Sequence, residues 1–510
     1  MKNVTVPQSN SSSEMDFLLN TMLQYGPKIV QNKPLIKLAM SNAEKRIKRD
    51  TQKQLQNDPM TPPGVMEDKA AMGLAILNSA KRVLLEQKVS PATIEKATTL
   101  LGRDLFIGKS LRTQRSVEFS REYGYTTPSF LVISPSKACN LRCTGCYADS
   151  DEQTKILDWD TVDRIISDAY DLWGTQFYVI SGGEPMAYRS QGKGILDLAE
   201  KHDNCYFMMY TNGTLITPEV AERMGRLGNV VPAISLEGWK DRTDARRGEG
   251  VFDKVMQAMD SLYDAGVLYG NSLTATRENA EELLSDEFIE FLFEKKHSRI
   301  CWIFQYMPIG RSFTLDLMPT PEQRLWMWRK SWQFIHEKQY FLADFWNHGT
   351  AVGGCLSAGG HSNGGYFYIE WNGNVTPCVF VPYSPVNVKT IYEQGGTLND
   401  IYAHPFFSGI RDWQSQCMDQ QDNLMHPCLI RDNNKVLRNF IRKHEAEPID
   451  ANAAAAILDP KYAAGMDQYA LEYSQLSDPV WQKVYLQHEA LNDDEFAALQ
   501  QHEMAELTAK

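Results

Sequence analysis

The chain of 510 residues has no run of 18 apolar residues, which excludes an ordinary membrane-spanning helix. Its first residues (MKNVTVPQSNSSSEMDFL) lack the charged-then-apolar order of a secretory signal, so a cytoplasmic protein is expected. Cysteine is scarce, at nine in 510, odd in number and irregular in spacing. That excludes a disulfide scaffold, which is short and Cys-dense, and favours thiols kept for metal ligation. Basic residues are outnumbered: 52 Lys and Arg against 64 Asp and Glu give a net charge of −12, which argues against a nucleic-acid partner. Internal repeats and low-complexity tracts are also absent.

What is present divides into four stretches. Residues 1–125 read as a helical N-terminal region, with apolar residues at helical spacing around Phe17–Leu23 and Ala71–Val83. It is basic, with 19 Lys and Arg against 12 Asp and Glu, and eight of these cations lie between Lys28 and Lys53. Such a stretch is either a solvated charged face or a peripheral contact with an anionic membrane.

Residues 126–345 alternate strand and helix. The strand candidates are SFLVISP (129–135), FYVIS (177–181), CYFMMY (205–210), VVPAISL (230–236), VLYGNSLT (267–274) and CWIFQYM (301–307). The helix at 159–173 puts Val162, Ile165, Ile166, Ala169 and Leu172 on one face, and Thr217-Pro218 opens another helix. Residues 321–346 read as an aromatic-rich helix. Six strand–helix units predict an α/β fold, a partial (β/α)6 barrel with active residues at the C-terminal strand ends. Residues 346–435 form a small domain with a β-hairpin across Asn372-Gly373. Residues 436–510 form a helical tail, acidic from 451 onward.

The decisive pattern is Lys137-Ala-Cys139-Asn-Leu-Arg-Cys143-Thr-Gly-Cys146-Tyr147, just past the first strand. A tight loop with three thiolates can face one side of an iron–sulfur cube and leave one iron open. A zinc knuckle is the other reading, but it needs a fourth Cys or His nearby, and none occurs between Cys146 and His202. Further motifs follow at strand ends: Gly182-Gly183-Glu184-Pro185, Thr211-Asn212-Gly213, and Ser235-Leu-Glu237-Gly238 with Asp244, Arg247 and Gly248 beyond. Cys205 and Cys301 lie in apolar strands and read as core residues. Cys355, Cys378, Cys417 and Cys428 remain, the number that a closed cluster needs.

Together these motifs resemble the radical S-adenosylmethionine (SAM) superfamily over about residues 126–312. The resemblance implies a [4Fe–4S] cluster on Cys139, Cys143 and Cys146, with SAM chelated at its open iron. Gly182, Gly183 and Glu184 are expected at the SAM amino group, and Ser235 and Arg247 at its carboxylate and ribose. Tyr147 is expected near adenine; Thr211 and Asn212 are SAM contacts or turn formers. The implied activity is formation of a 5′-deoxyadenosyl radical that takes hydrogen from an unactivated C–H bond. A flavodoxin or ferredoxin would supply the electron.

Residues 346–435 resemble the auxiliary-cluster (SPASM or twitch) domains of that superfamily. This implies a second [4Fe–4S] cluster on Cys355, Cys378, Cys417 and Cys428. Two features depart from the pattern: Gly-rich SAGGHSNGG widens the gap before Gly373, and the later dense run of cysteines is missing. His361 in that insert reads as a ligand, a substrate contact or a loop residue. The expected reaction is an oxidation or cross-link in a peptide or protein. Modification of a lipid or small metabolite at a membrane, a non-catalytic iron–sulfur scaffold, and methyl donation by SAM are the alternatives.

Overall fold

The computed structural model describes residues 32–507, except 87, 98, 100–110, 152–154 and 361–363. The expected helix at Phe17–Leu23, Lys28 and His361 lie outside the described residues. Six parallel strands follow the expected order: β1 Leu131–Ile133, β2 Phe177–Ile180, β3 Tyr206–Thr211, β4 Val230–Leu236, β5 Gly270–Ala275 and β6 Cys301–Gln305. Each pairs in parallel with its sequence neighbour. The α/β fold of partial-barrel type is thus present, and no described helix is long and apolar enough to cross a membrane.

The sheet extends beyond six strands at both edges. Leu342–Asp344 is β7, parallel to β6. The expected helix over 321–346 therefore stops short: it starts at Pro321, continues in a wider turn to Lys338, and reverses at Gln339 with φ 50°. At the other edge, Tyr368–Ile369 (β8) pairs in parallel with β1, then turns back antiparallel to Asn374–Thr376 (β9). This hairpin turns at Asn372-Gly373, where Gly373 has φ +91°, as the turn requires. Tyr383–Ser384 (β10) pairs with Glu447–Pro448 (β12), and Val386–Asn387 (β11) pairs with β9.

Helices cover the outer face. The helix Trp159–Trp173 is capped by Asp158, whose side chain accepts from the Thr161 amide, and ends at Gly174 in the left-handed conformation. It buries Val162, Ile165, Ile166, Ala169 and Trp173; Leu172 is half-buried. Cys205 and Cys301 are fully buried, as core residues.

The N-terminal helices close the end of the sheet where strands begin. Ser79 donates to the Arg299 carbonyl before β6, Asn78 to the Gln339 carbonyl before β7, and Lys96 to the Asp203 carbonyl before β3. Several cations of the basic helix Lys33–Asn57 pair locally, as in Lys48–Glu44 at 2.6 Å. At the opposite end, Tyr462, Met466 and Tyr469 of the C-terminal helix Pro460–Val480 pack on Tyr306 and Met318 beyond β6.

A buried carboxylate ties the two terminal regions to the middle of the chain. Asp68 accepts from Thr350 Oγ1 at 2.5 Å and Tyr485 Oη at 2.9 Å. Burial pushes its carboxyl up to about 7. A raised folded-state value means the contribution is full below about pH 4 and declines as pH rises toward 7. Asp68→Asn is therefore expected to match the parent only below about pH 4 and to be more stable by ~4 kcal/mol near pH 8. Thermal unfolding of both proteins at the two pH values checks this.

Candidate functional site

The Cys139–Cys146 loop leaves the C-terminal end of β1 and lies against the loop after β2. The Ser181 amide donates to the Ile133 carbonyl, the Gly183 amide to Ser136 and the Glu184 amide to Ala138, at 3.0, 2.9 and 2.8 Å. Parallel pairing thus continues past the strand ends into both loops. Gly183 is required for this approach: a Cβ there would stand 2.0 Å from the Ala138 oxygen. Tyr147 bridges the two loops, donating to Ser181 Oγ at 3.1 Å and accepting from the Gly182 amide at 3.0 Å.

One cavity opens at these strand ends, with about 1410 Å³ of space counting its mouth. Its wall includes Cys139, Cys143, Cys146, Tyr147, Gly182, Gly183, Thr211, Asn212, Ser235 and Arg247. Much of the rest of its wall is aromatic, with Trp302, Phe304, Phe345, Tyr366 and Phe380. The three thiols and their shared cavity fit a cube with one open iron; no fourth Cys or His lines this wall. In the metal-free chain, burial pushes the Cys139 thiol up to about 11, with Glu184, Cys143 and Cys146 adding to the effect.

Arg247 reaches into the cavity, with a guanidinium nitrogen 4.0 Å from Cys143 Sγ. Its other nitrogens donate to Glu237 Oε1 at 2.8 and 2.5 Å, and Arg246 pairs with Glu237 Oε2 at 2.7 Å. Glu237 is 1% exposed, so one buried carboxylate anchors two cations that line the cavity.

Glu184 is placed differently from Gly182 and Gly183. It is absent from the cavity wall, and its carboxylate turns inward to accept from Thr211 Oγ1 at 2.7 Å, the Asn212 amide at 2.8 Å and the Met186 amide at 3.0 Å. It fixes the turn after β3, and Asn212 in turn donates to Asn140 Oδ1 at 2.9 Å in the cysteine loop.

Arg311 was not singled out by the sequence. Its side chain donates to the Cys143 carbonyl at 2.6 Å and to the Ser150 carbonyl, and contacts Asp149 Oδ1 at 3.3 Å; its amide donates to the Cys146 carbonyl at 2.9 Å. Beside it, Gly310 at φ +70° lies so close that a Cβ would be 2.1 Å from the Tyr147 oxygen. The Gly310-Arg311 pair was the only available signal, and a glycine-cation pair is common in surface loops.

The second cysteine set lies beyond the aromatic wall. Cys355 and Cys428 both act electrostatically on Cys378, whose thiol burial raises first and strongly. Burial, Asp432 and Cys355 push the Cys428 thiol up to about 12. Burial and Asp422 push the Cys417 thiol up to about 12, and it shares a second pocket with Cys355, Gln414 and His426. The helix Pro405–Asp419 that carries Cys417 props the Gly-rich insert, with Arg411 donating to the Ala358 carbonyl at 2.8 Å and Gln414 to Ser357 Oγ at 3.0 Å.

A buried polar chain joins the two areas. Gln305 on the cavity wall contacts Asp344 at 3.1 Å and accepts from Arg431, which also donates to the Tyr306 carbonyl at 2.6 Å. Asp432 binds Arg324 in a two-pronged pair at 2.5 and 3.1 Å and accepts from the Cys428 amide at 3.1 Å.

Comparison with known proteins identifies the family. Residues 133–288 match the family model "Radical SAM superfamily". Mycofactocin maturase MftC of Mycolicibacterium smegmatis is 30% identical over 304 residues, 58% of this chain and 75% of that protein. The AdoMet-dependent heme synthase of Nitratidesulfovibrio vulgaris is 31% identical over 198 residues, 38% of this chain and 53% of that protein. The crystal structure of Streptococcus suis SuiB bound to S-adenosylmethionine superposes with a TM-score of 0.49 and 17% identity, over 71% of this chain and 87% of that one. The chain belongs to the radical SAM superfamily. It is an enzyme, and the family implies a [4Fe–4S] cluster and SAM.

Arg311→Ala keeps the amide hydrogen bond to Cys146 but removes the side-chain contacts to the Cys143 carbonyl, the Ser150 carbonyl and Asp149, each worth about 1 kcal/mol. The variant is expected to lose the iron held by this loop, a fall of about four irons per chain. Iron analysis after anaerobic gel filtration checks it.

Proposed function

We propose that this chain is a maturase that modifies a peptide or protein substrate by radical SAM chemistry, with a second iron–sulfur cluster assisting an oxidation or cross-link. The observation that carries the reading is the single cavity that gathers Cys139, Cys143, Cys146, Gly182, Gly183, Ser235 and Arg247 at the strand ends. The peptide substrate is supported by the resemblance of residues 346–435 to auxiliary-cluster domains and by the likeness to a protein named a maturase.

When bound, a [4Fe–4S] cluster on Cys139, Cys143 and Cys146 supplies reductive cleavage of SAM to methionine and the hydrogen-abstracting 5′-deoxyadenosyl radical. The chain's own residues hold the reactants. Arg247, oriented by Glu237, pairs with the SAM carboxylate through its fork of donors. The backbone of Gly182 and Gly183 lines the place of the amino group, while Glu184 acts from behind by fixing Thr211 and Asn212. Ser235 faces the ribose side, and Tyr147 pins the two loops beside the adenine. The aromatic part of the wall excludes water and leaves an apolar space for the reacting C–H group, which suits near-attack geometry. Cys355, Cys378, Cys428 and Cys417, which shares a pocket with Cys355, form the second ligand set. An electron donor of flavodoxin or ferredoxin type completes the proposal, with residues 126–345 carrying the radical SAM site and 346–435 the second ligand set between the helical regions 1–125 and 436–510.

Cys143→Ala is expected to abolish 5′-deoxyadenosine formation under strict anaerobiosis. Cys378→Ala is expected to retain SAM cleavage and lose the modified product. Chromatographic assay of 5′-deoxyadenosine checks both; an unchanged yield from Cys143→Ala removes the assignment.

A further inference from the structure

Tyr366 belongs to both sites. Its ring lines the main cavity, stacked on Phe130 at 4.9 Å and 16° and edge-on to Phe345 at 6.3 Å. Its hydroxyl lies 2.9 Å from Cys378 Sγ, and the residue is 1% exposed. The backbone fixes it there: its amide donates to the Leu356 carbonyl at 2.9 Å, and its carbonyl accepts from the Gly359 amide at 2.8 Å. Both partners lie just after Cys355, so one cysteine's loop holds the tyrosine that contacts the other. The amide of Phe380, another residue of the cavity wall, donates to the same sulfur at 3.5 Å.

Phenylalanine would fill this apolar wall equally well. The hydroxyl adds only its contact with sulfur, in a place closed to solvent. A thiolate bound to iron carries no proton, so the hydrogen in this contact is the phenol's. Donation to a ligand sulfur stabilises the reduced, more electron-rich cluster over the oxidised one and raises its potential.

We propose that Tyr366 is a positioning residue that sets the reduction potential of the auxiliary cluster by donating a hydrogen bond to Cys378. In the step concerned, one electron enters the cluster from an external mediator. No bond at Tyr366 breaks, and the phenol keeps its proton. The inference rests on the reading of Cys355, Cys378 and Cys428 as cluster ligands.

The test uses the full chain with Cys139, Cys143 and Cys146 all changed to alanine, reconstituted anaerobically, so that only the auxiliary cluster contributes. Iron content is measured first, then the potential by dye-mediated titration followed by electron paramagnetic resonance. Tyr366→Phe is expected to keep its iron and to be about tenfold harder to reduce, a shift of about 59 mV to more negative potential for one electron. Site-specific 3-fluorotyrosine at position 366, a stronger donor, is expected to shift the potential the other way. If Tyr366→Phe loses its iron, the sign of the fluorotyrosine shift decides. Potentials equal to the parent's in the iron-bearing variants overturn the inference. A triple-alanine parent without iron instead overturns the ligand reading on which it rests.

Discussion

Everything at the functional end of this molecule depends on the hydrogen bonding of one short strand. β1 has three residues, all buried, and is paired in parallel on both sides, to β2 and to β8. Its continuation is the cysteine loop. The pairing to β2 runs on into the Gly-Gly-Glu loop, and the pairing to β8 sets the hairpin that leads to Cys378. A parallel sheet offers evenly spaced bonds and fixed strand ends, so three loops are set side by side with no long excursions. The glycines serve this pairing, since a side chain at position 183 would collide with the backbone it bonds to.

Around that strand the chemistry is held by buried charges rather than by apolar packing alone. Glu237 serves Arg246 and Arg247; Asp432 serves Arg324 and the Cys428 amide. Arg324 and Asp432 have side chains 0% and 1% exposed. Removal of one member of such a pair strands the other, at a cost of about 3–5 kcal/mol. These networks fix direction: the guanidinium of Arg247 is aimed at the cavity because its remaining donors are already committed.

Much of the barrel was legible in the sequence because buried parallel strands are short apolar runs and the first four each ended in a motif with restricted chemistry. VVPAISL coincides with β4, and the Asn372-Gly373 turn joins β8 to β9. What was not legible has physical reasons. Leu342–Asp344 is three residues within an aromatic-rich stretch, too short to show a period of two against a period of 3.6. The pairing of β8 with β1 links distant segments, which local patterning does not encode. Arg311 and Arg431 look like surface cations until their carbonyl partners are seen, and the inward turn of Glu184 depends on amides after β3. The Cys205 and Cys301 readings succeeded because each opens an apolar run, residues 206–209 and 302–304, which is a local signal.

The long-range pairing of β8 with β1 also bears on how the molecule is made. Val132 meets Tyr368 across the sheet, so during synthesis β1 remains an open edge until the chain has grown past that residue. Contacts of such sequence separation form late and slowly. For that interval the cysteine loop is translated and β2 is available, yet one flank of the loop's supporting strand has no neighbour. The time at which iron is delivered, early to an open edge or late to a finished sheet, thereby becomes part of the protein's biogenesis.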